Sequence, residues 1–505
     1  MSSEVEWDIQ VFAVYSRIFV ILLQIVFNAV IPDHDAKVFS PPPALKSRTS
    51  LDHAVEFLLG GFRRWDGVYF IHIAEYGYTY ENTVAFFPLF PSVVGKLTEV
   101  ISIFSDPYLV RRNVALVIAV TVNFFLFVKT AKVLYHLGVF VLKDRNLAYK
   151  SAMLFCVNSG SIFFSATYSE AIYTFILFNG MLYASRGKHL IASTLFGLAA
   201  AARSNGVVAL GFVAHAVGQS VLKDIYVTYH SKISGIARDF RLVTIVIKEF
   251  IQSMFYLFLC LLPIAVYQYY IYDLFCVSQA PASASHIVEY GRSQNYVILG
   301  DEPSEWCNYS LPLSYNYIQS KHWDVGFFNY YQFKQIPNFI LAAPIIFLSV
   351  SACACYYRLN KHLCLRLGFL FDVDLKKTDK RDDVIGYPST RLFPFIVHLL
   401  ALTVFGCLFI HIQILTRLLC SSSPVIYWYA AHCTRRKLHP ESNHSKAEER
   451  KYLTASEALS HRNNVVLDDI YCWKDLNINS KLIYTYFFSY LVIGTVAFSN
   501  FLPWT

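Results

Sequence analysis

The chain has 505 residues, of which 55% are hydrophobic, 17% aromatic and only 15% charged, with a formal net charge of +8. Soluble domains are about a quarter charged, so this composition excludes the roughly three water-solvated domains that the length alone would suggest. The positive charge is accounted for by basic loops at one membrane face, and nothing in its distribution points to nucleic acid.

Apolar residues gather into stretches near the about 20 residues needed to cross roughly 30 Å of hydrocarbon. The first runs from about Phe12 to Ile31, behind an acidic start (Glu4, Glu6, Asp8) and with no small-residue cleavage site, and reads as an uncleaved anchor. The next is about Val114–Leu137. Between them, 32–113 is aromatic but interrupted by Arg63, Arg64, Asp66, Glu75 and Glu81. Further spans are predicted near 151–166, 168–185, 190–202, 206–222, 250–272, 336–356, 392–415, 418–431 and 482–500. Several are short, which predicts broken or tilted helices with irregular backbone lining a cavity rather than facing lipid.

Basic clusters set the orientation. Lys143/Arg145/Lys150, Arg186/Lys188, Lys223–Lys248, Arg358–Arg381 and Arg435–Lys451 all fall on one side when two crossings separate successive clusters. That side is predicted to be cytosolic. The opposite, luminal side then receives 32–113, the turns near 167 and 204, the loop 273–335, the turn near 417–424 and the C-terminus. The first turn fits least well, because the acidic start does not favour a cytosolic N-terminus.

Asn308-Tyr-Ser310 is a glycosylation sequon in the predicted luminal loop, while Asn443-His-Ser445 falls on the cytosolic side and would be unused. The 11 cysteines form no C-x-x-C pair and lie mostly in spans, where Cys acts as a small hydrophobe. Cys276 and Cys307 share one luminal loop and could pair. No zinc pattern, phosphate-cradling Gly loop, heptad or internal repeat is present.

Polar residues at membrane depth mark function more often than in soluble proteins. The densest set is Gly61-Phe-Arg-Arg-Trp-Asp-Gly-Val-Tyr-Phe-Ile-His-Ile-Ala-Glu-Tyr-Gly-Tyr78, closed by Ala85-Phe-Phe-Pro-Leu-Phe-Pro91. As a helix it would set Asp66, Phe70 and Ile73 on one side and His72 with Glu75 on another, lying in the interface. An aromatic-belt helix with snorkelling charges would look the same. A lone acid beside Trp65, two arginines and a rigid Phe-Phe-Pro corner favour chemistry. Ser165-Ala-Thr-Tyr-Ser-Glu170 joins two short apolar pieces, and Glu170 reads equally as a dipole-favoured helix start. Arg203-Ser-Asn-Gly206 interrupts another; its guanidinium needs an anion, from Glu170, Asp66 or a phosphate. Lys321-His-Trp-Asp324 weakly echoes the first loop, and Lys334-Gln-Ile-Pro-Asn338 follows it. Gln413, Arg417, Pro424 and Tyr427-Trp-Tyr429 read as packing or lipid contact.

Six motifs together resemble the GPI mannosyltransferase family that adds the second mannose, the PIG-V type. They are Arg64-Trp-Asp-x-x-x-Phe-x-x-Ile-Ala-Glu-x-Gly-Tyr78, Phe86-Phe-Pro-x-x-Pro91, Tyr168-Ser-Glu-Ala171, Arg203-Ser-Asn-Gly206, Lys334-Gln-Ile-Pro-Asn338 and Asn500-Phe-Leu-Pro-Trp-Thr505, in order over nearly the whole chain. Tyr69 departs from the His expected of that family, so no binding role is carried over to it. About Thr434–Ser480, within a cytosolic loop 432–480, carries no matching motif.

The resemblance implies an all-α polytopic membrane protein of the GT-C class, one domain over 1–505 with about ten to eleven transmembrane helices and a first luminal loop bearing interfacial helices. It implies an endoplasmic reticulum enzyme using dolichol-phosphate-mannose to build an α-1,6 linkage on the first mannose of a GPI intermediate. It places the catalytic acid at Asp66 and substrate contacts at Arg64, Trp65, His72, Glu75, Phe87, Tyr168, Glu170, Arg203, Asn205 and Lys334. Arg203, with Arg64 or Lys334, would hold the phosphate charge. No metal or other cofactor is expected, and room is left for a small accessory membrane subunit. The competing readings are another GT-C mannosyltransferase, a non-catalytic subunit, and a lipid transporter or scramblase. The last predicts repeat symmetry and mid-span charges in both halves, which the sequence lacks.

Overall fold

The computed structural model describes residues 2–36, 38–43, 48–106, 108–231, 235–278, 284–301, 303–369, 384–435 and 464–504. The Asn443 sequon, 436–463 of the loop 432–480, and parts of the basic clusters at 223–248, 358–381 and 435–451 lie outside the described residues. Within them the chain is helical, with one isolated β-bridge between Tyr80 and Ile298. It runs through α1 (Ser2–Val30), α2 (Ser50–Leu59), α3 (Asp66–Tyr76), α4 (Leu89–Ser105), α5 (Arg111–Leu142), α6 (Arg145–Cys156), α7 (Glu170–Ser185), α8 (His189–Ala202), α9 (Leu210–Tyr229) and α10 (Ile236–Tyr272). It continues with α11 (Ser285–Ser293), α12 (Ser314–Trp323), α13 (Ile336–Leu359), α14 (Lys361–Leu365), α15 (Phe393–Phe409), α16 (Leu415–Ser422), α17 (Val425–Cys433), α18 (Val465–Tyr471) and α19 (Ile478–Ser499).

Among the described residues, seven segments are long and apolar enough to cross a membrane: Ser3–Val30, Arg111–Leu142, Ser204–Tyr229, Ile236–Val277, Phe333–Leu359, Thr390–Phe409 and Ile478–Ser499. The protein is therefore a multi-pass membrane protein. The other predicted spans are short helices. α6, α7 and α8 have 12, 16 and 14 residues, and at 1.5 Å per residue α8 reaches only about 21 Å. The turn after it therefore falls inside a bilayer's thickness.

Each break has a local cause. The predicted helix 151–166 stops at Cys156, because Asn158 Oδ1 accepts from the Gly160 amide at 2.8 Å and its Nδ2 donates to Phe155 O at 2.7 Å. Such side-chain bonds compete with the helix ladder. The predicted span 418–431 is split into α16 and α17, with Ser423 extended before Pro424, as the ring of a following proline requires. The predicted span 392–415 ends at Phe409, where Ile410 turns extended.

α5 sits at the centre, packed on α1, α3, α4, α6 and α7, while α8 bridges α7 and α10, and α19 closes against α1. One apolar cluster links all of these. α10 instead turns Phe240, Val243, Ile247, Phe250 and Phe258 outward, as a helix facing lipid would. Arg17, fully buried in the first span, donates to Ser161 O at 2.8 Å and Ser165 Oγ at 2.9 Å and lies 3.9 Å over the Phe127 ring. A buried cation is tolerated only when so satisfied, and this one anchors the irregular segment 157–169.

Ion pairs sort the loops to two ends. At one, Glu6 meets Lys132 and His136, and Asp144 meets Arg435. The other end gathers 28–34, 60–67, 165–170, 203–205, 417 and 499–501 around α3.

Candidate active site

The geometry begins at the turn between α2 and α3. Trp65 has φ 52° and ψ −128°, a conformation bulky L-residues rarely adopt and one that concentrates at functional sites. It makes Asp66 the first residue of α3, where free N–H groups favour a carboxylate. The Asp66 amide donates to Tyr168 Oη at 3.0 Å. Thr167 Oγ1 bonds Phe62 O at 3.2 Å and Gly67 O at 3.1 Å. A Cβ on Gly67 would stand 2.5 Å from that same oxygen, so the approach needs glycine. Beneath, Asn123 of α5 donates to Ala166 O at 2.6 Å and Tyr168 O at 2.9 Å. Three separate segments thus fix one carboxylate.

Two guanidiniums meet two carboxylates here. Arg417 Nη1 donates to Asp66 Oδ2 at 2.8 Å, with Asp66 27% and Arg417 13% exposed. Arg417 also lies 5.4 and 5.5 Å over the rings of Phe163 and Tyr168. Arg203 pairs with Glu170, which opens α7 and is wholly buried. The sequence reading of Arg417 as packing or lipid contact is corrected: it is the direct partner of Asp66. The signal was available, since an arginine inside an apolar stretch demands an anion.

The two arginines ride on joined segments. Asn205 Nδ2 donates to Tyr173 Oη at 2.8 Å and Ser422 Oγ at 2.9 Å, and Thr174 Oγ1 donates to Ser421 O at 2.8 Å. Ser204 Oγ shares a hydrogen with Tyr315 Oη at 2.8 Å. The broken spans 168–202 and 415–422 therefore hold the charges in register.

Other predicted residues are placed elsewhere. Arg64 donates to Ser499 O at 3.0 Å, Asn28 Oδ1 at 3.1 Å and Asp33 Oδ2 at 2.9 Å, and lies 4.7 Å over Phe501. It clasps the end of α1 to the C-terminal motif. Trp65 packs edge-on against Phe501. Glu75 pairs with Arg112 at 3.2 Å, which also donates to Pro41 O and Pro42 O. Lys334 is exposed at the start of α13 and joins none of the ion pairs among the described residues. Phe87 is buried against Tyr267 and Tyr315. Asp324 caps α12 in a left-handed conformation, so the Trp-Asp echo brings no second acid.

α3 is also not the exposed interfacial helix expected, since Gly67, Phe70, Ile71, His72, Ile73 and Ala74 are buried. Its far side is roofed by the loop 284–298. There His72 bonds Thr79 Oγ1 at 2.6 Å and stacks on Tyr80; burial, reinforced by Arg112 and His286, pulls its pKa down to about 3. Tyr69 is stacked between Phe39 at 4.1 Å and Phe86 at 4.5 Å. Glu81 is buried and accepts from Trp306 Nε1 at 3.2 Å and from Lys321 and His322 at 3.3 Å. Burial pushes its carboxyl up, but these donors, with Ser304 and the Lys321 charge, outweigh that and hold it below its usual value. A Cys276–Cys307 disulfide closes the same loop, with Asn308 exposed beside it. Among the described residues, no three His, Cys, Asp or Glu side chains gather as a metal site would.

The fold is that of a polytopic membrane protein, and its broken helices bring a part-exposed carboxylate against a guanidinium and aromatic rings. Residues 5–505 match the family model described as Mannosyltransferase (PIG-V), and the chain belongs to that family. It is 37% identical over 98% of its length to a GPI alpha-1,6-mannosyltransferase 2 of Cricetulus griseus, covering 97% of that protein. The Homo sapiens protein of that name is 36% identical over 98% of this chain and 97% of its own length. A GPI mannosyltransferase 2 of Drosophila melanogaster is 34% identical, with 98% of each covered. Among solved structures, an Archaeoglobus fulgidus oligosaccharyltransferase aligns at a TM-score of 0.41 and 12% identity, over 97% of this chain and 56% of its own. The chain thus spans about half of that structure.

Proposed function

We propose that the protein transfers the second mannose, in α-1,6 linkage, from dolichol-phosphate-mannose to the one-mannose GPI intermediate at the luminal face of the endoplasmic reticulum, within a GT-C fold. The observation carrying this reading is the placement of Asp66: one part-exposed carboxylate paired with Arg417, where broken spans meet a covered loop. Both substrates are lipids, and a site at the end of membrane helices spares either from leaving the bilayer.

In this scheme Asp66 takes the proton of the acceptor hydroxyl as that oxygen bonds the anomeric carbon. The carbon–oxygen bond to phosphate breaks on the opposite face, inverting β to α. The leaving phosphate is already a stable anion, so one carboxylate suffices where inverting glycosidases use two, and the scheme assigns no step to a metal. Arg203 meets the phosphate charge. The first loop and 273–335 face the lumen, Asn308 is the glycosylated sequon, and a small accessory subunit is compatible with the lipid-facing surface. Cells lacking the protein should accumulate a GPI lipid carrying one mannose, and re-expression should clear it. Accumulation of a two-mannose or a mannose-free lipid would overturn the assignment.

A further inference from the structure

The Asp66–Arg417 pair poses a chemical difficulty for the proposed reaction. Asp66 Oδ2 accepts from Arg417 Nη1 at 2.8 Å, and protonating Asp66 while it is so paired forfeits a charge-assisted bond. Meanwhile each arginine is underused. A guanidinium carries five N–H donors, yet Arg417 and Arg203 each spend one on a carboxylate, and the buried Nε of each has no partner. Glu170 Oε2 is likewise buried and unpartnered. Desolvated donors without acceptors are costly, and here two sets, carried on hydrogen-bonded segments, suit an oxyanion.

We infer that Arg417 is the ligand for the donor's phosphate, and that its ion pair with Asp66 is the resting state of the site, undone when the phosphodiester arrives. The inference rests on the proposed use of a lipid-phosphate sugar donor. Arg417, not Arg203, is the exchangeable partner, because Asp66 is 27% exposed whereas Glu170 is wholly enclosed. Guanidinium binds phosphate in bidentate fashion, with geometry a single Nη1–carboxylate contact does not use. Transfer of Arg417 to the phosphate when donor binds relieves Asp66 of its paired cation, so that taking the acceptor's proton no longer breaks a charge-assisted bond.

The charges balance through the step. Asp66, Glu170, Arg203 and Arg417 sum to zero, and the phosphodiester brings the site to −1. When the anomeric bond breaks, its electron pair leaves on the phosphate, which becomes a dianion. The acceptor's proton neutralises Asp66 at the same time, and the sum stays −1.

The test uses the full chain in detergent, with a polyprenyl phosphate as the binding probe. Asp66→Asn replaces an ion pair with a bond from the guanidinium to a neutral amide, which loosens the hold on Arg417, and should bind the probe several-fold more tightly than wild type while losing nearly all mannosyl transfer. Arg417→Ala should weaken probe binding at least tenfold and raise the donor KM; Arg417→Lys should recover part of both. In the double variant the gain from Asp66→Asn should vanish. Unchanged or weaker probe binding by Asp66→Asn overturns the switch, and this holds even where Arg417→Ala fails to fold. Unchanged binding by a folded Arg417→Ala overturns the phosphate role. Wild type that binds the probe yet moves no mannose would sink the proposed function instead, leaving the phosphate site standing.

Discussion

Arg417 and Asp66 lie 351 residues apart in the chain, yet their side chains meet at 2.8 Å. The contact joins the start of α3 to the short helix α16, with Tyr168 from a third segment touching both. Everything proposed for the site follows from this convergence.

Asp66→Asn should lower mannosyl transfer by about 10²–10⁴-fold, the usual contribution of a general base. Asparagine keeps an acceptor for Arg417 and the backbone amide that donates to Tyr168 Oη, so the protein should remain folded and in its membrane. Transfer assays on purified protein with matched thermal unfolding decide this; near-normal turnover would remove Asp66 as the base.

Arg203→Ala should raise the donor KM, but it also strands Glu170, which is wholly buried. Breaking a buried pair from one side costs about 3–5 kcal/mol. Arg203→Ala combined with Glu170→Gln should recover thermal stability without recovering donor use. If both recover together, Arg203 is structural only.

Gly67→Ala would set a methyl 2.5 Å from Thr167 Oγ1. The clash displaces the turn that holds Asp66 and should lower kcat tenfold or more, with a smaller effect on donor KM. Thr167→Ala in the same chain removes the opposing oxygen and should restore part of kcat. No restoration would show that the spacing of these segments is not what positions the acid.

Acid should loosen the first loop. His72 is held neutral, with a pKa near 3 against about 6.5 unfolded; below about 6.5 the unfolded chain binds a proton the folded one does not, and stability falls. Glu81 is depressed, so its contribution is present above the unfolded value near 4.3 and is lost as pH falls through the folded one. Protection of the amides around α3, corrected for the slower intrinsic exchange in acid, should fall between pH 7 and pH 5. His72→Asn should remove the part of this change above pH 5.

A cysteine at Asp301, which is exposed, should react with impermeant reagent only from the lumen, because none of the free cysteines among the described residues is fully exposed. Reaction from the cytosol would reverse the topology.

Several features were legible before folding. Asp66 and Arg203 stood out as charges in aromatic or apolar surroundings, and the pairing of Arg203 with Glu170 was among the options chemistry allowed. The disulfide partners shared one loop. A motif does not reveal which protein partners its residues take, and Arg64 and Glu75 turn out to bond Ser499 and Arg112. Asn123 and Arg17 gave no periodic signal, being polar residues in largely apolar spans, and their partners include backbone groups 40 or more residues away.

The sequence by itself determined that the chain lives in a membrane and roughly where seven of its spans fall, because hydrocarbon penalises every unpaired charge and every unsatisfied peptide along the chain. Only the tertiary structure decided which cation faces which acid. Ion pairing depends on distance in space, and the broken helices that bring Arg417 to Asp66 and Arg203 to Glu170 place these residues by packing that no local spacing encodes.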